Sequence, residues 1–227
     1  MSHVSIPVTS TVARSVGGRS PWRLLAAFGT SGPVLFLAMA SLGGALTPGY
    51  NPVTDTISAL ELGPIGWLQT LNFLVFGASV IAFGLALHLR FSPDGRVAAS
   101  AWLLGASGLS LMLAGIFPAV VVDGQPTPSA LIHGLAFFGT CLPLPGVYAL
   151  AGLRFVQEPG WRRLATYSAV LPSSVFFLFA VFGVLASDPG DPFEFIAGLL
   201  QRLLLVLAFG WVTVVGLRLL GAPPATR

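Results

Sequence analysis

Six stretches of this chain are apolar for twenty residues or more: Trp22–Leu46, Gly66–Leu89, Val97–Pro118, Ser129–Leu153, Leu164–Ala186 and Phe193–Leu220. A helix needs about 20 such residues to cross about 30 Å of hydrocarbon. Each stretch is bounded by a cluster rich in Pro, Gly, Asp or Arg, where helices stop. Hydrocarbon leaves no partner for an open sheet edge, and the alternation of a membrane barrel is absent. The expected fold is therefore all-α, a polytopic bundle of six transmembrane helices whose main partner is the lipid bilayer. Composition agrees, since only 8% of the 227 residues are charged and 55% are hydrophobic. Soluble domains carry about a quarter charged residues.

The charges orient the bundle. All eleven cations are arginine. Arg14, Arg19 and Arg23 lie before or at the start of the first span, and Arg90 and Arg96 lie between the second and third. Arg154, Arg162 and Arg163 lie between the fourth and fifth, and Arg218 and Arg227 lie at or after the end of the sixth. The alternate loops carry only Asp55, Glu61, Asp123, Asp188, Asp191 and Glu194. The positive-inside rule then places both termini in the cytoplasm, with the inner membrane as the expected location. A pI of about 9.8 reflects this topology and gives no ground for a nucleic-acid partner. Residues 1–20 are expected to form a mobile cytoplasmic tail, residues 21–221 the membrane domain, and residues 222–227 a second short tail. The apolar run after residue 20 is too long for the core of a cleaved signal peptide. Kinks are expected at Pro33, Pro143, Pro145 and Pro172, because proline removes a helical hydrogen bond.

One residue breaks the charge pattern. Arg202 lies within the sixth span, about 13 Å below Phe193 if that end is at the surface. Its guanidinium cannot shed its proton, so the fold must supply acceptors. Gly198 and Gly210 share its helical face, which predicts packing against a neighbouring helix. Asp55 is the first choice of partner, with Glu61, Asp123 and Glu194 behind it. On that reading, replacing Arg202 and Asp55 together restores what replacing Arg202 alone loses. Asp55 belongs to the outer segment Thr47–Gly66, which is too apolar for a plain connection and is expected to dip into the mouth of the bundle. Its "ISAL" stretch predicts a short helix capped by Thr54 or Asp55.

The run "GYNPVTDTISALELGPIGWLQTLNFLVFGASVIAFGLALH", then "GIFPAVVVDG", "PTPSALIHGLAF" and "GLLQRLLLVLAF", resembles a bacterial family of six-helix membrane proteins catalogued as domain of unknown function 998. The P-x-x-D-x-I-S loop, the G-I-F-P segment and the Q-R pair carry the likeness. The resemblance implies fold and location and supplies no activity.

The candidate ligand-binding residues are Arg202, Gln201, His133, Asp55, Ser58 and Asp123. His133 is either a proton carrier, with an unperturbed pKa near 6.5, or a helix-packing residue bonded to a carbonyl. His88 reads as interfacial. "GASG" at residues 105–108 resembles the serine motif of rhomboid proteases. Ser107 lies mid-helix, however, about 16 Å deep against about 6 Å for His133, too far for proton transfer. No metal site or cofactor is expected, because a catalytic zinc needs three protein ligands and His88 and His133 lie near opposite faces. A single cysteine, Cys141, excludes an intrachain disulfide. Three function classes remain: binding or transport of a small anionic or lipid-like amphiphile, which the pattern favours; a metal-free intramembrane enzyme acting on a lipid; and a structural or assembly subunit. A homodimer fits a transporter with only six helices.

Overall fold

The computed structural model describes residues 21–185 and 194–221. The expected tails, the 186–193 loop with Asp188 and Asp191, and the Glu194 side chain lie outside what is described. Among the described residues there are seven α-helices: α1 (Pro21–Leu46), α2 (Gly66–Phe91), α3 (Gly95–Ile116), α4 (Pro128–Cys141), α5 (Leu144–Phe155), α6 (Arg162–Leu185) and α7 (Ala197–Gly221). Six spans are long and apolar enough to cross a membrane, with α4 and α5 together forming the fourth. That break lies where the sequence reading placed a kink. Leu142 and Pro143 separate the two helices, since Pro143 and Pro145 remove two of the three amide donors at residues 143–145. Pro33 and Pro172 lie within helices that run on uninterrupted.

The helices close into a ring: α1 packs on α2, α2 on α3, α3 on α4 and α5, α5 on α6, α6 on α7, and α7 returns to α1. The most enclosed helix is α2, whose small residues admit its neighbours. A Cβ on Gly29 of α1 would lie 2.5 Å from Cβ of Phe83 on α2, so that crossing depends on glycine. Buried polar tips tie the far side together. Tyr148 on α5 donates to the Ala208 carbonyl of α7, and Trp211 Nε1 donates to Ser168 Oγ on α6 at 2.9 Å.

Charge separates the two ends of the bundle. At one end Arg23 donates to the Leu220 carbonyl, Arg154 pairs with Asp94 and Glu158, and Arg218 lies over the Trp161 ring. The opposite end carries the connections 47–65 and 117–127. Strands β1 (Val121–Val122) and β2 (Gln125–Pro126) form an exposed antiparallel hairpin in the second of these. Asp123 and Gly124 make its turn with φ of 51° and 72°, a geometry that suits a two-residue hairpin loop. In the first, a 3-10 helix (Ile57–Leu62) buries Ile57, Ser58 and Leu60 among α1, α2 and α7. The segment Thr47–Gly66 thus folds into the mouth of the bundle, as its apolar residues predict.

Candidate functional site

Arg202 lies in the second turn of α7, about 7.5 Å along it from Ala197. Helical side chains lean toward the N-terminus, so its guanidinium rises to meet the 47–65 connection. There it finds main-chain oxygens. Nη1 donates to the carbonyls of Pro52 (2.8 Å), Asp55 (3.1 Å) and Gly198 (2.9 Å), and Nη2 donates to the Tyr50 hydroxyl (2.5 Å). The two carbonyls between these face the free amides of α7: Gly198 N donates to Thr54 O at 3.2 Å and Leu199 N to Val53 O at 3.0 Å. Four successive carbonyls, Pro52 to Asp55, are thereby spent on one helix N-terminus and one arginine. A helix start leaves amides that need such partners.

This arrangement corrects three expectations. The Asp55 carboxylate does not hold Arg202; it accepts from Asn51 N at 2.8 Å and Thr54 Oγ1 at 3.0 Å, closing its own turn. Among the described side chains no carboxylate pairs with Arg202. The face bearing Gly198 packs on this connection instead of a helix, and a Cβ there would overlap the Asp55 carbonyl oxygen. Neither Thr54 nor Asp55 caps the 3-10 helix. Its N-cap is Thr56, with no side-chain bond, and the Ile57 amide donates to Gln201 Oε1 at 2.6 Å. Gln201, beside Arg202 on α7, reaches the same segment from the inner side. Burial is the largest influence on the Tyr50 hydroxyl and pushes its pKa up, opposed by the Arg202 hydrogen bond and charge.

A second cluster lies deeper. His133 on α4 is only 8% exposed, and its Nδ1 faces the carbonyls of Ala114 (2.9 Å) and Phe117 (3.0 Å), where α3 ends. Its Nε2 is 3.0 Å from Ser58 Oγ on the 3-10 helix. Glu61, one turn along, brings a fully buried carboxylate with Oε2 3.8 Å from His133 Nδ1 and Oε1 3.4 Å from Thr70 Oγ1. Burial pushes the Glu61 carboxyl up to about 8, against which the Thr70 hydrogen bond works weakly. Oε2 has no hydrogen-bond partner among the described residues. A cavity of about 30 Å3 opens beside Ser58, His133, Gln201 and Cys141.

A larger groove of about 250 Å3 runs between α1 and α7, from Pro33 and Phe36 to Phe209 and Thr213. Val34 and Val206 at its edges are exposed, so it opens toward lipid. Val206, Gly210 and Thr213 follow Arg202 by four, eight and eleven residues and share its stripe of α7. Phe36 and Leu205 line both groove and cavity.

Of the six residues expected to form a site, the structure brings Arg202 together with Asp55 through the latter's main chain, and Ser58 together with His133. Gln201 touches both clusters' shared segment. Asp123 stays at the exposed tip of the hairpin, where its left-handed backbone serves the turn. Ser107 is buried and its hydroxyl has no partner among the described residues, so it does not meet His133. Also among the described residues, no group of three His, Cys, Asp or Glu side chains is placed to hold a metal ion.

A family described as "Protein of unknown function (DUF998)" matches residues 30–218, which include both clusters and the groove. The chain belongs to the DUF998 family. No curated protein and no solved structure matches it. Two members of the site in this DUF998 protein went unrecognised in sequence. Tyr50 reads there as one aromatic of a loop. Glu61 reads there as a partner for Arg202, since nothing in the spacing aligns it with a histidine 72 residues away.

Proposed function

We propose that this DUF998 protein binds a single-chain anionic or lipid-like amphiphile, with the chain in the α1–α7 groove and the head group beside Arg202. The observation that carries this reading is the alignment of Arg202 with the groove on one stripe of α7. Nε and the second Nη2 proton of Arg202 have no partner among the described residues, so the arginine that pins the 47–65 connection still has donors for a phosphate or carboxylate. The groove is slightly below the about 300–1,000 Å3 of pockets that enclose drug-sized ligands, a size for one acyl chain. The positive-inside rule supports a cytoplasmic arginine-rich end, which puts the head-group site in the outer leaflet of a cell inner membrane.

Gly210 is the position at which to test this, because a Cβ there meets nothing within 4 Å. Gly210→Phe starts from a position with no close neighbour and projects its ring into the groove. Native mass spectrometry of wild type with a lysophosphatidylglycerol should give a discrete adduct that Gly210→Phe lacks at the same thermal stability. Equal adducts on the two proteins would overturn the reading.

A further inference from the structure

The Ser58–His133 pair has a polarity that its neighbours impose. The carbonyls of Ala114 and Phe117 can only accept, so Nδ1 of His133 carries the ring proton. In the neutral imidazole Nε2 is then a bare lone pair, and at 3.0 Å it is placed to accept the Ser58 hydroxyl proton. An alcohol bonded to an imidazole whose other nitrogen is fixed by a third group is the arrangement of an activated nucleophile. Both side chains sit on defined elements, the 3-10 helix and α4, and each is 8% exposed. Helix packing alone is already served by the Nδ1 contacts and does not require the hydroxyl.

The surroundings extend this. Gln201 lines the same cavity; its Oε1 is occupied by the Ile57 amide, and its amide nitrogen has no partner among the described residues. It is a neutral donor on the wall of the cavity that Ser58 also lines, of the kind that stabilises a developing oxyanion. The cavity, about 30 Å3, exceeds the roughly 10–15 Å3 that one water needs. Phe36 and Leu205 line both this cavity and the groove between α1 and α7, so the two spaces share a wall.

We propose that Ser58 is a nucleophile and His133 its general base in an acyl-transfer site that takes long-chain acyl esters from the bilayer. The nucleophile stands on the Ser58–His133 geometry; the long-chain substrate class rests on the reading of the groove as an acyl-chain site. Ser58 Oγ attacks the ester carbonyl carbon while its proton passes to His133 Nε2, and Gln201 donates to the carbonyl oxygen. The ester C–O bond breaks, the alcohol leaves with the proton from His133, and the acyl group stays on Ser58. Water then adds to the acyl carbon, giving its proton to His133. Collapse releases the fatty acid and returns that proton to Ser58, so water is the one co-reactant.

The experiment is covalent labelling of the full-length protein in native membranes with an alkyl fluorophosphonate. The Ser58 oxygen forms the new bond to phosphorus, fluoride leaves and His133 takes the proton. Peptide mapping should place one label on Ser58 of wild type. The Ser58→Ala variant should take none, and His133→Gln should label at least about 100-fold more slowly, the low end of general-base contributions. The wild-type map decides the nucleophile without any variant, so a misfolded His133→Gln cannot hide the answer. Folded wild type left unlabelled at Ser58 overturns the proposal, as does wild-type labelling rate in folded His133→Gln. A hexadecyl probe should outpace an ethyl probe. Equal rates leave Ser58 standing as the nucleophile and overturn the long-chain substrate, whereas the lysolipid adduct tests the groove by itself.

Discussion

Arg202 reaches Asp55 through its main-chain oxygen, 3.1 Å from Nη1, while the Asp55 carboxylate bonds to Asn51 and Thr54. The distinction changes what mutagenesis reads. A carboxylate partner predicts that removing both charges restores stability, because neither is left unpaired. A carbonyl partner cannot be removed by changing its side chain. Arg202→Leu should therefore lose about 3 kcal/mol, on the scale of one or two hydrogen bonds to a charged donor. Arg202→Leu with Asp55→Leu should be less stable still. Thermal unfolding of wild type, Arg202→Leu, Asp55→Leu and the double variant in one detergent closes the cycle, and recovery in the double variant would return the carboxylate to the guanidinium.

Gly198 supplies an independent test of the same docking. Its Cα faces the 47–65 connection so closely that a Cβ would overlap Asp55 O and lie 2.7 Å from Pro52 O. Backbone cannot swing aside as a side chain does, so Gly198→Ala should cost about 1–3 kcal/mol despite alanine's better helix propensity. Gly105→Ala on α3 meets nothing within 4 Å and should be neutral or stabilising by up to about 1 kcal/mol. Proteolysis should also become faster within residues 47–65 of Gly198→Ala alone.

These tests bear on how far the sequence could be read. The six spans were legible because length and apolarity are one-dimensional properties, and the α4–α5 break was legible because proline acts where it stands. Arg202, Gln201, Ser58 and His133 each stood out as polar residues in apolar surroundings. Their partners did not, because carbonyls of Pro52 and Phe117 are present at every residue and no side chain marks which will be used. A carboxylate is the one charged acceptor that a sequence displays, which is why Asp55 suggests itself there as the partner of Arg202. Asp123 shows the converse. The Asp-Gly pair at residues 123–124 is a hairpin signal, and reading its acid as a ligand overlooked the turn it makes.

Gln201 carries the junction between the two clusters. Its Oε1 takes the Ile57 amide at 2.6 Å, and both residues are buried, so Gln201→Leu leaves that donor without an acceptor. An orphaned buried amide costs about 1–3 kcal/mol. Gln201→Leu should lose that much, and Gln201→Glu, which keeps an acceptor oxygen, should lose less. Backbone hydrogen exchange at Ile57, which should accelerate only in Gln201→Leu, locates the effect at the 3-10 helix.

Glu61 should make stability depend on pH in a direction opposite to that of an ion-paired carboxylate. Its carboxyl titrates near 8 in the folded protein because burial disfavours the charge, against an ordinary value of 4.5. Between these values the folded chain holds a proton that the unfolded chain releases. The contribution is complete below pH 4.5 and is lost as pH rises through 8. Wild type should lose stability as the pH is raised from 5 to 8, and Glu61→Gln, a permanently neutral isostere, should lose less over the same interval. Thermal midpoints across that range measure the difference. Parallel curves for the two proteins would show that Glu61 is already ionised in the fold, which would make its unbonded oxygen a charge held 3.8 Å from His133 Nδ1.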